Sequence, residues 1–241
     1  KGIQIGMLTT LKAGEETERC RFYQVPAAGL NVVDQQIKFT AGSHHFIVFS
    51  TPYKEIPTKT IRGQDMDTSG VFDCGTNGPT GDWDTIAFVA VSQNANGDSL
   101  FDKLPDGTAL KIPGGTILLV NTHYVNASRD PLETTAAINL ITIPDADVKQ
   151  EAGLLFFYNR FIRVPGKSEG IARMRCPVRS DITVLTATSH MHKRGVGYQA
   201  AAVDPKTGAA DQLFQTRAWA DVEVARFNAP KAVKAGQLID Y

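Results

Sequence analysis

The chain has 241 residues, of which 42% are hydrophobic and 21% are charged, and its 25 basic and 25 acidic side chains leave no formal net charge. This balance is typical of a globular protein with one large domain or two ordinary ones. Because it has no basic stripe, no acidic tail and no apolar run near the roughly 20 residues that span a bilayer, we predict neither a nucleic-acid partner nor a membrane span.

Short runs rich in β-branched and aromatic residues, separated by turn clusters, predict strands almost throughout the chain. The first set covers residues 37–40, 45–50, 85–91, 116–121 and 136–143. The second set covers residues 154–158, 182–187, 197–203, 213–216 and 236–241. Only residues 98–103 are predicted to be helical, for a turn or two. Many short strands with frequent turns indicate β-sandwiches or barrels, and the polar stretch 144–150 is the predicted boundary between the two sets.

The five histidines are the most informative residues, because four of them occur in close pairs. His190 and His192 are two residues apart in a strand-like segment, so both side chains are predicted to point to one face. His44 and His45 are adjacent, so both reach one metal only if the backbone bends there. His123 follows a strongly apolar strand and would complete a three-histidine site if its strand neighbours that pair.

Imidazole-rich sites suit copper, zinc, iron and nickel. No histidine follows His192, which excludes a cupin-type ligand set, and a helical His-Glu-x-x-His motif is absent. Structural histidines on a secreted β-sandwich binding module are the alternative interpretation, but the clustering favours a metal.

The chain has three cysteines, Cys20, Cys74 and Cys176, and no Cys-x-x-Cys motif. An odd number is explained either by one disulfide and one unpaired thiol or by three buried free thiols.

Three segments carry a family resemblance by their order along the chain. They are Ser43-His-His-Phe-Ile-Val-Phe49, Val120-Asn-Thr-His-Tyr-Val125 and Thr188-Ser-His-Met-His-Lys-Arg-Gly195. Supporting segments are Glu18-Arg-Cys-Arg-Phe-Tyr-Gln-Val-Pro26, Phe72-Asp-Cys74-Gly75 and Ala235-Gly-Gln-Leu-Ile-Asp-Tyr241. Together they resemble the copper type II, ascorbate-dependent monooxygenase family, which includes peptidylglycine α-hydroxylating and dopamine β-monooxygenases.

The resemblance implies an all-β fold of two jelly-roll-like antiparallel β-sandwich domains, over residues 1–145 and 146–241, each holding one copper ion. It implies that His44, His45 and His123 bind an electron-transfer copper. It also implies that His190 and His192 are the catalytic pair on an oxygen-binding copper. The family's methionine ligand would lie beyond Tyr241, so the second domain is expected to be truncated here, and Met191 is a poor substitute on the opposite strand face.

The expected activity is hydroxylation of an aliphatic C–H of a small organic substrate with O₂, with ascorbate as the reductant. Thr188 stands where the peptide-hydroxylating member has a substrate-binding arginine, which argues against a peptidylglycine substrate, and no substrate-binding residue is assigned. The resemblance further implies a Cys20–Cys74 disulfide, a partner for Cys176 beyond Tyr241, and an extracytoplasmic location. The alternative is a non-catalytic copper-binding protein for storage, delivery or sensing on the same fold.

Overall fold

The computed structural model describes residues 1–40, 43–92, 103–159, 161–191, 194–219 and 222–241, and it describes His44 only through its place in a strand. These residues form two compact units, Lys1–Leu154 and Leu155–Tyr241. The predicted all-β class is confirmed, because the described helices are limited to α1 (Pro79–Asp82) and a 3₁₀ turn (Asp145–Asp147). Neither of these is long and apolar enough to cross a membrane.

The first unit consists of two five-stranded sheets. Its strands in chain order are β1 (Gly2–Leu11), β2 (Glu16–Gln24), β3 (Leu30–Phe39), β4 (Ser43–Ser50), β5 (Phe72–Asp73), β6 (Ala87–Ser92), β7 (Thr108–Ile112), β8 (Ile117–Val125), β9 (Leu132–Thr142) and β10 (Gln150–Ala152). Sheet I has the order β1-β9-β3-β7-β10, and sheet II has the order β5-β2-β8-β4-β6. Because β10 pairs with β7 in parallel, the unit extends past residue 145, where the sequence places the domain boundary.

The main core lies between these two sheets. Val120 of β8 and Val48 of β4 pack in one buried cluster with Ile138 of β9 and Ile37 of β3. Successive side chains of a strand point to opposite faces of the sheet. Alternate residues of sheet II, such as Leu119, therefore face away from sheet I.

A second buried cluster covers the outer face of sheet II. It joins Phe22 and Leu119 to Trp83 and to the cysteine pair Cys20 and Cys74, which form a disulfide. The disulfide expected from the family resemblance is therefore present, and Cys176 is a free thiol.

The second unit contains β11 (Arg175–Pro177), β12 (Ile182–Ala187), β13 (Tyr198–Val203), β14 (Ala210–Thr216), β15 (Ala225–Val233) and β16 (Leu238–Asp240). Its sheets have the orders β11-β16-β13-β14 and β12-β15, and they share a small core that includes Ala202, Leu213, Val233 and Ile239. The predicted strand over 154–158 is wrong. That segment is irregular and pairs with no described strand, and Leu155 and Tyr158 are exposed. The predicted helical segment 98–103 lies, apart from Lys103, outside the described residues.

Asn126-Ala-Ser128 has the sequence of a glycosylation acceptor, but it forms a turn. Asn126 is buried and donates hydrogen bonds to the carbonyl oxygens of Lys12 (2.8 Å) and Asp130 (2.9 Å). Its carboxamide oxygen accepts from the Ser128 hydroxyl at 2.7 Å. The side chain closes the turn after β8, where it is 2% exposed.

Candidate metal site

Three neighbouring strands, β2, β8 and β4, bring the candidate residues of the first unit together on the outer face of sheet II. His123 of β8 lies opposite Glu18 of β2 on one side and opposite His45 of β4 on the other. One step along β8, Asn121 lies opposite Cys20. Because residues 121 and 123 share the face of Leu119, all of these side chains lie on the disulfide side of the sheet.

The backbone of β4 carries a bulge at the histidine pair. Its register with β8 passes from Ser43 opposite Tyr124 directly to His45 opposite His123, so His44 is the extra residue of the bulge. The Ser43 hydroxyl ties this point to β8, because it lies 3.0 Å from the carbonyl oxygen of His123, to which it donates. A bulge bends its strand and re-aims the side chains near it. The bend that the adjacent pair requires is therefore present, although the side chain of His44 lies outside the described residues.

The imidazoles of His45 and His123 meet as a cross-strand pair. Their ring centroids are 5.4 Å apart and the ring planes are tilted by 54°. The Nε2 atom of His45 is 2.9 Å from Oδ1 of Asn121, and the Nε2 atom of His123 is 3.1 Å from Oε1 of Glu16. A carboxylate can only accept hydrogen bonds, so His123 carries a proton on Nε2. Its Nδ1 atom is then the one with the lone pair when the ring is neutral.

Acidic side chains surround His123. Glu16, Glu18 and Asp73 line, together with His123, an open depression of about 300 Å³ beside β2. Arg19 forms an ion pair with Asp73 at 2.8 Å. Glu16 and Glu18 place negative charge beside the two imidazoles, which favours a cation at this position.

Comparison with known proteins adds no family to this geometry. No protein-family model and no curated protein matches the chain. The arrangement of its own residues is therefore the basis for any functional conclusion.

The candidate residues of the second unit are described only in part. Strand β12 ends at Ala187, so His190 lies beyond the strand, and its side chain is exposed. Residues 188–191 are irregular, so the argument that a strand points two imidazoles to one face does not apply to His190. Thr188 donates to the carbonyl oxygen of Glu223 at 2.9 Å, Met191 is half-buried, and His192 lies outside the described residues.

Within the described part of the chain, no three His, Cys, Asp or Glu side chains are grouped closely enough to hold a metal ion. His192 and the side chain of His44 lie outside that described part. The described structure therefore brings together two of the five predicted ligands, His45 and His123.

Asn121, Glu16 and Glu18 are functional candidates that sequence reasoning missed. Asn121 precedes His123 by two residues in a predicted strand, so a shared face was readable from the sequence. The two glutamates lie on β2, and only the pairing of β2 with β8 brings them to the histidines.

The turn that borders this depression depends on a buried carboxylate. Asp82 accepts hydrogen bonds from the backbone N–H of Asn77 (2.9 Å) and its side-chain amide (2.8 Å), and Arg62 lies 3.2 Å away. The hydrogen bond from the Asn77 backbone N–H lowers the pKa of Asp82 below its ordinary value, and the Asn77 side-chain amide and Arg62 lower this pKa further. Gly75 has a φ of 104°, and a Cβ there would lie 2.3 Å from the Asp82 carboxylate, so this approach requires glycine.

Because the pKa of Asp82 is lower in the folded protein, its contribution to stability is present above the ordinary carboxyl pKa and is lost as the pH falls through the folded value. We expect Asp82→Asn to lower the free energy of unfolding at pH 7 by about 1–3 kcal/mol, with a smaller difference from the unchanged chain below about pH 4. Urea denaturation at a series of pH values measures this. Asp65→Asn is the matched control, because Asp65 is 82% exposed. An equal cost for the two variants would contradict the prediction.

Proposed function

We propose that the chain binds copper through the bulged histidine pair of β4 and His123, and acts as a copper type II, ascorbate-dependent monooxygenase. The observation that supports a metal site is the His45–His123 pair, in which each Nε2 atom lies within hydrogen-bond distance of an oxygen atom. The monooxygenase activity is proposed from the family resemblance of the three histidine segments. Metal-binding histidines are typically oriented by such a partner on the other ring nitrogen.

The distance between the two rings fits a shared metal ion. With metal–nitrogen bonds of about 2 Å, two imidazoles at a tetrahedral angle on one ion have ring centroids roughly 5 Å apart. The observed distance is 5.4 Å. His44 is proposed as the third ligand, because the bulge places it at the same point of β4.

The donor set also fits copper by its chemistry. Neutral imidazole is a ligand that suits copper, and in this role copper supplies one-electron redox chemistry. The protein's own residues hold the imidazoles. Glu16 keeps a proton on Nε2 of His123, and Asn121 contacts Nε2 of His45. The negative charge of Glu16 and Glu18 offsets part of the charge of a bound cation.

For the second unit we propose that His190 and His192 would hold a second copper. That copper would supply the redox chemistry for hydroxylating a small organic substrate with O₂, with two electrons from ascorbate and water as the second product. The Cys20–Cys74 disulfide supports an extracytoplasmic location, because disulfides persist in oxidising compartments.

A non-catalytic copper-binding protein is the second candidate. In the first unit the rings of His45 and His123 meet, whereas His190 lies on an irregular, exposed segment. Such a protein would bind copper at the first site without the chemistry assigned to the second.

Copper stoichiometry separates these functions. The full chain is purified, reconstituted with Cu(II), desalted and measured by elemental analysis. About two coppers per chain would support the monooxygenase and would be followed by an ascorbate-dependent oxygen-uptake assay. About one would favour the non-catalytic protein, and none would overturn the copper proposal.

A further inference from the structure

Asn121 connects three features of the outer face of sheet II. Its side chain is fully buried in β8. Its Oδ1 atom is 2.9 Å from Nε2 of His45, while its Nδ2 atom is 3.0 Å from Oε2 of Glu18 and 3.2 Å from Sγ of Cys74. The carboxamide therefore lies between a candidate metal ligand, a carboxylate and the disulfide.

The Glu18 carboxylate determines which end of the amide faces which partner. A carboxylate only accepts hydrogen bonds, so the NH₂ group of Asn121 must face Glu18 and the carbonyl oxygen must face His45. That oxygen can only accept, so His45 must donate from Nε2. In neutral His45 the lone pair is then on Nδ1.

The disulfide holds the same amide from a second side. Cys20 is the register partner of Asn121 across the β2–β8 ladder, and its Sγ atom is 3.8 Å from Nδ2. Both cysteines and Asn121 have no solvent exposure. A buried amide keeps its orientation through its protein contacts. The position of the Asn121 amide therefore depends on its hydrogen bond to Glu18 and on its contacts with the disulfide.

We propose that Asn121 is a positioning residue that couples Glu18 and the Cys20–Cys74 disulfide to the His45 imidazole and fixes its tautomer, so that His45 binds a cation through Nδ1. The identity of the cation as copper rests on the proposed function. The orientation of His45 does not, because it follows from contacts within the protein alone.

The test uses the metal-free full chain labelled with ¹⁵N at histidine. Long-range ¹H–¹⁵N spectra at a pH above the histidine range report which ring nitrogen carries the proton, and a His45→Gln spectrum assigns the signals. We expect the Nε2–H tautomer at His45 in the unchanged chain. We expect Asn121→Ala to shift His45 to a mixture of tautomers, and Cys20→Ala/Cys74→Ala to do the same.

Glu18→Gln is the variant that keeps the test decisive if the disulfide variant does not fold. A glutamine both donates and accepts, so the Asn121 amide is no longer forced into one orientation, and we again expect a tautomer mixture at His45. His123 is an internal control in every spectrum, because Glu16 and not Asn121 orients it. Trp83→Phe controls for loosened packing, since Trp83 contacts the Cys74 carbonyl oxygen at 2.8 Å and does not bond to Asn121.

Copper titration gives the second measurement. We expect Asn121→Ala to weaken Cu(II) binding at the first site about 10- to 100-fold, as the loss of an outer-shell partner does in other metal sites. An Nδ1–H tautomer in the unchanged chain would overturn the inference, and so would a His45 signal that Asn121→Ala and Glu18→Gln both leave unchanged. If the tautomers behave as expected and the unchanged chain binds no copper, the proposed function fails and the positioning role of Asn121 stands.

Discussion

A His123→Ala variant is expected to bind one copper fewer than the unchanged chain and to keep its fold. The His123 side chain is 21% exposed at the end of β8, and its partner Glu16 is 66% exposed. Removing the imidazole therefore leaves the Glu16 carboxylate in contact with water, and the cost in stability is small. The cost in metal affinity is large, because a ligand is lost. We expect the copper affinity of the first site to fall by at least about 100-fold, because loss of a ligand costs at least as much as loss of a residue that only hydrogen-bonds to a ligand.

Elemental analysis after desalting, with isothermal titration by Cu(II), measures this effect. His190→Ala is the matched control in the second unit, and it should leave the first copper bound. Far-ultraviolet circular dichroism checks that both variants keep their strands. Loss of both coppers in His123→Ala would show that the ligands are not divided between the units as proposed. Unchanged copper binding would show that His123 is not a ligand.

Part of this site can be predicted from the sequence, because the patterns that identify a strand are local. Alternation and β-branched residues identify the strands that carry His45 and His123, and the adjacent histidines require a bend, which the structure provides as a bulge at His44. Whether β4 and β8 are neighbours is a property of the sheet order. The sequence therefore leaves open whether the two histidines lie side by side, and the structure places them opposite each other on neighbouring strands.

Other features depend on long-range pairing that no local pattern carries. Strand β1 is not among the predicted strands, and its pairing with β9 along its whole length is a property of the sheet order. Residues 154–158 have the composition of a strand, but a strand needs a partner for its backbone groups, and no described strand pairs with them. Residues 188–191 are likewise irregular, since β12 ends at Ala187, before His190.

Replacing Cys20 and Cys74 together with Ala is expected to lower the free energy of unfolding of the first unit by about 4 kcal/mol, on the chain-entropy estimate for a disulfide that closes a loop of this size. The two cysteines are 54 residues apart in sequence, so their bond removes much freedom from the unfolded chain. They are also fully buried among aromatic side chains, with the Trp83 ring centroid 5.1 Å from that of Phe22 and 5.5 Å from that of Phe72.

Urea denaturation followed by tryptophan fluorescence in a Trp219→Phe background measures this loss, because Trp83 is then the one tryptophan of the chain and packs in the same buried cluster as the disulfide. Cys176→Ala is the matched control, since Cys176 is a free thiol in the second unit and its loss opens no covalent loop. The unchanged chain, once reduced and blocked, should unfold at a similarly lowered urea concentration. If the double variant were as stable as the Cys176→Ala control, the disulfide would not constrain the first unit.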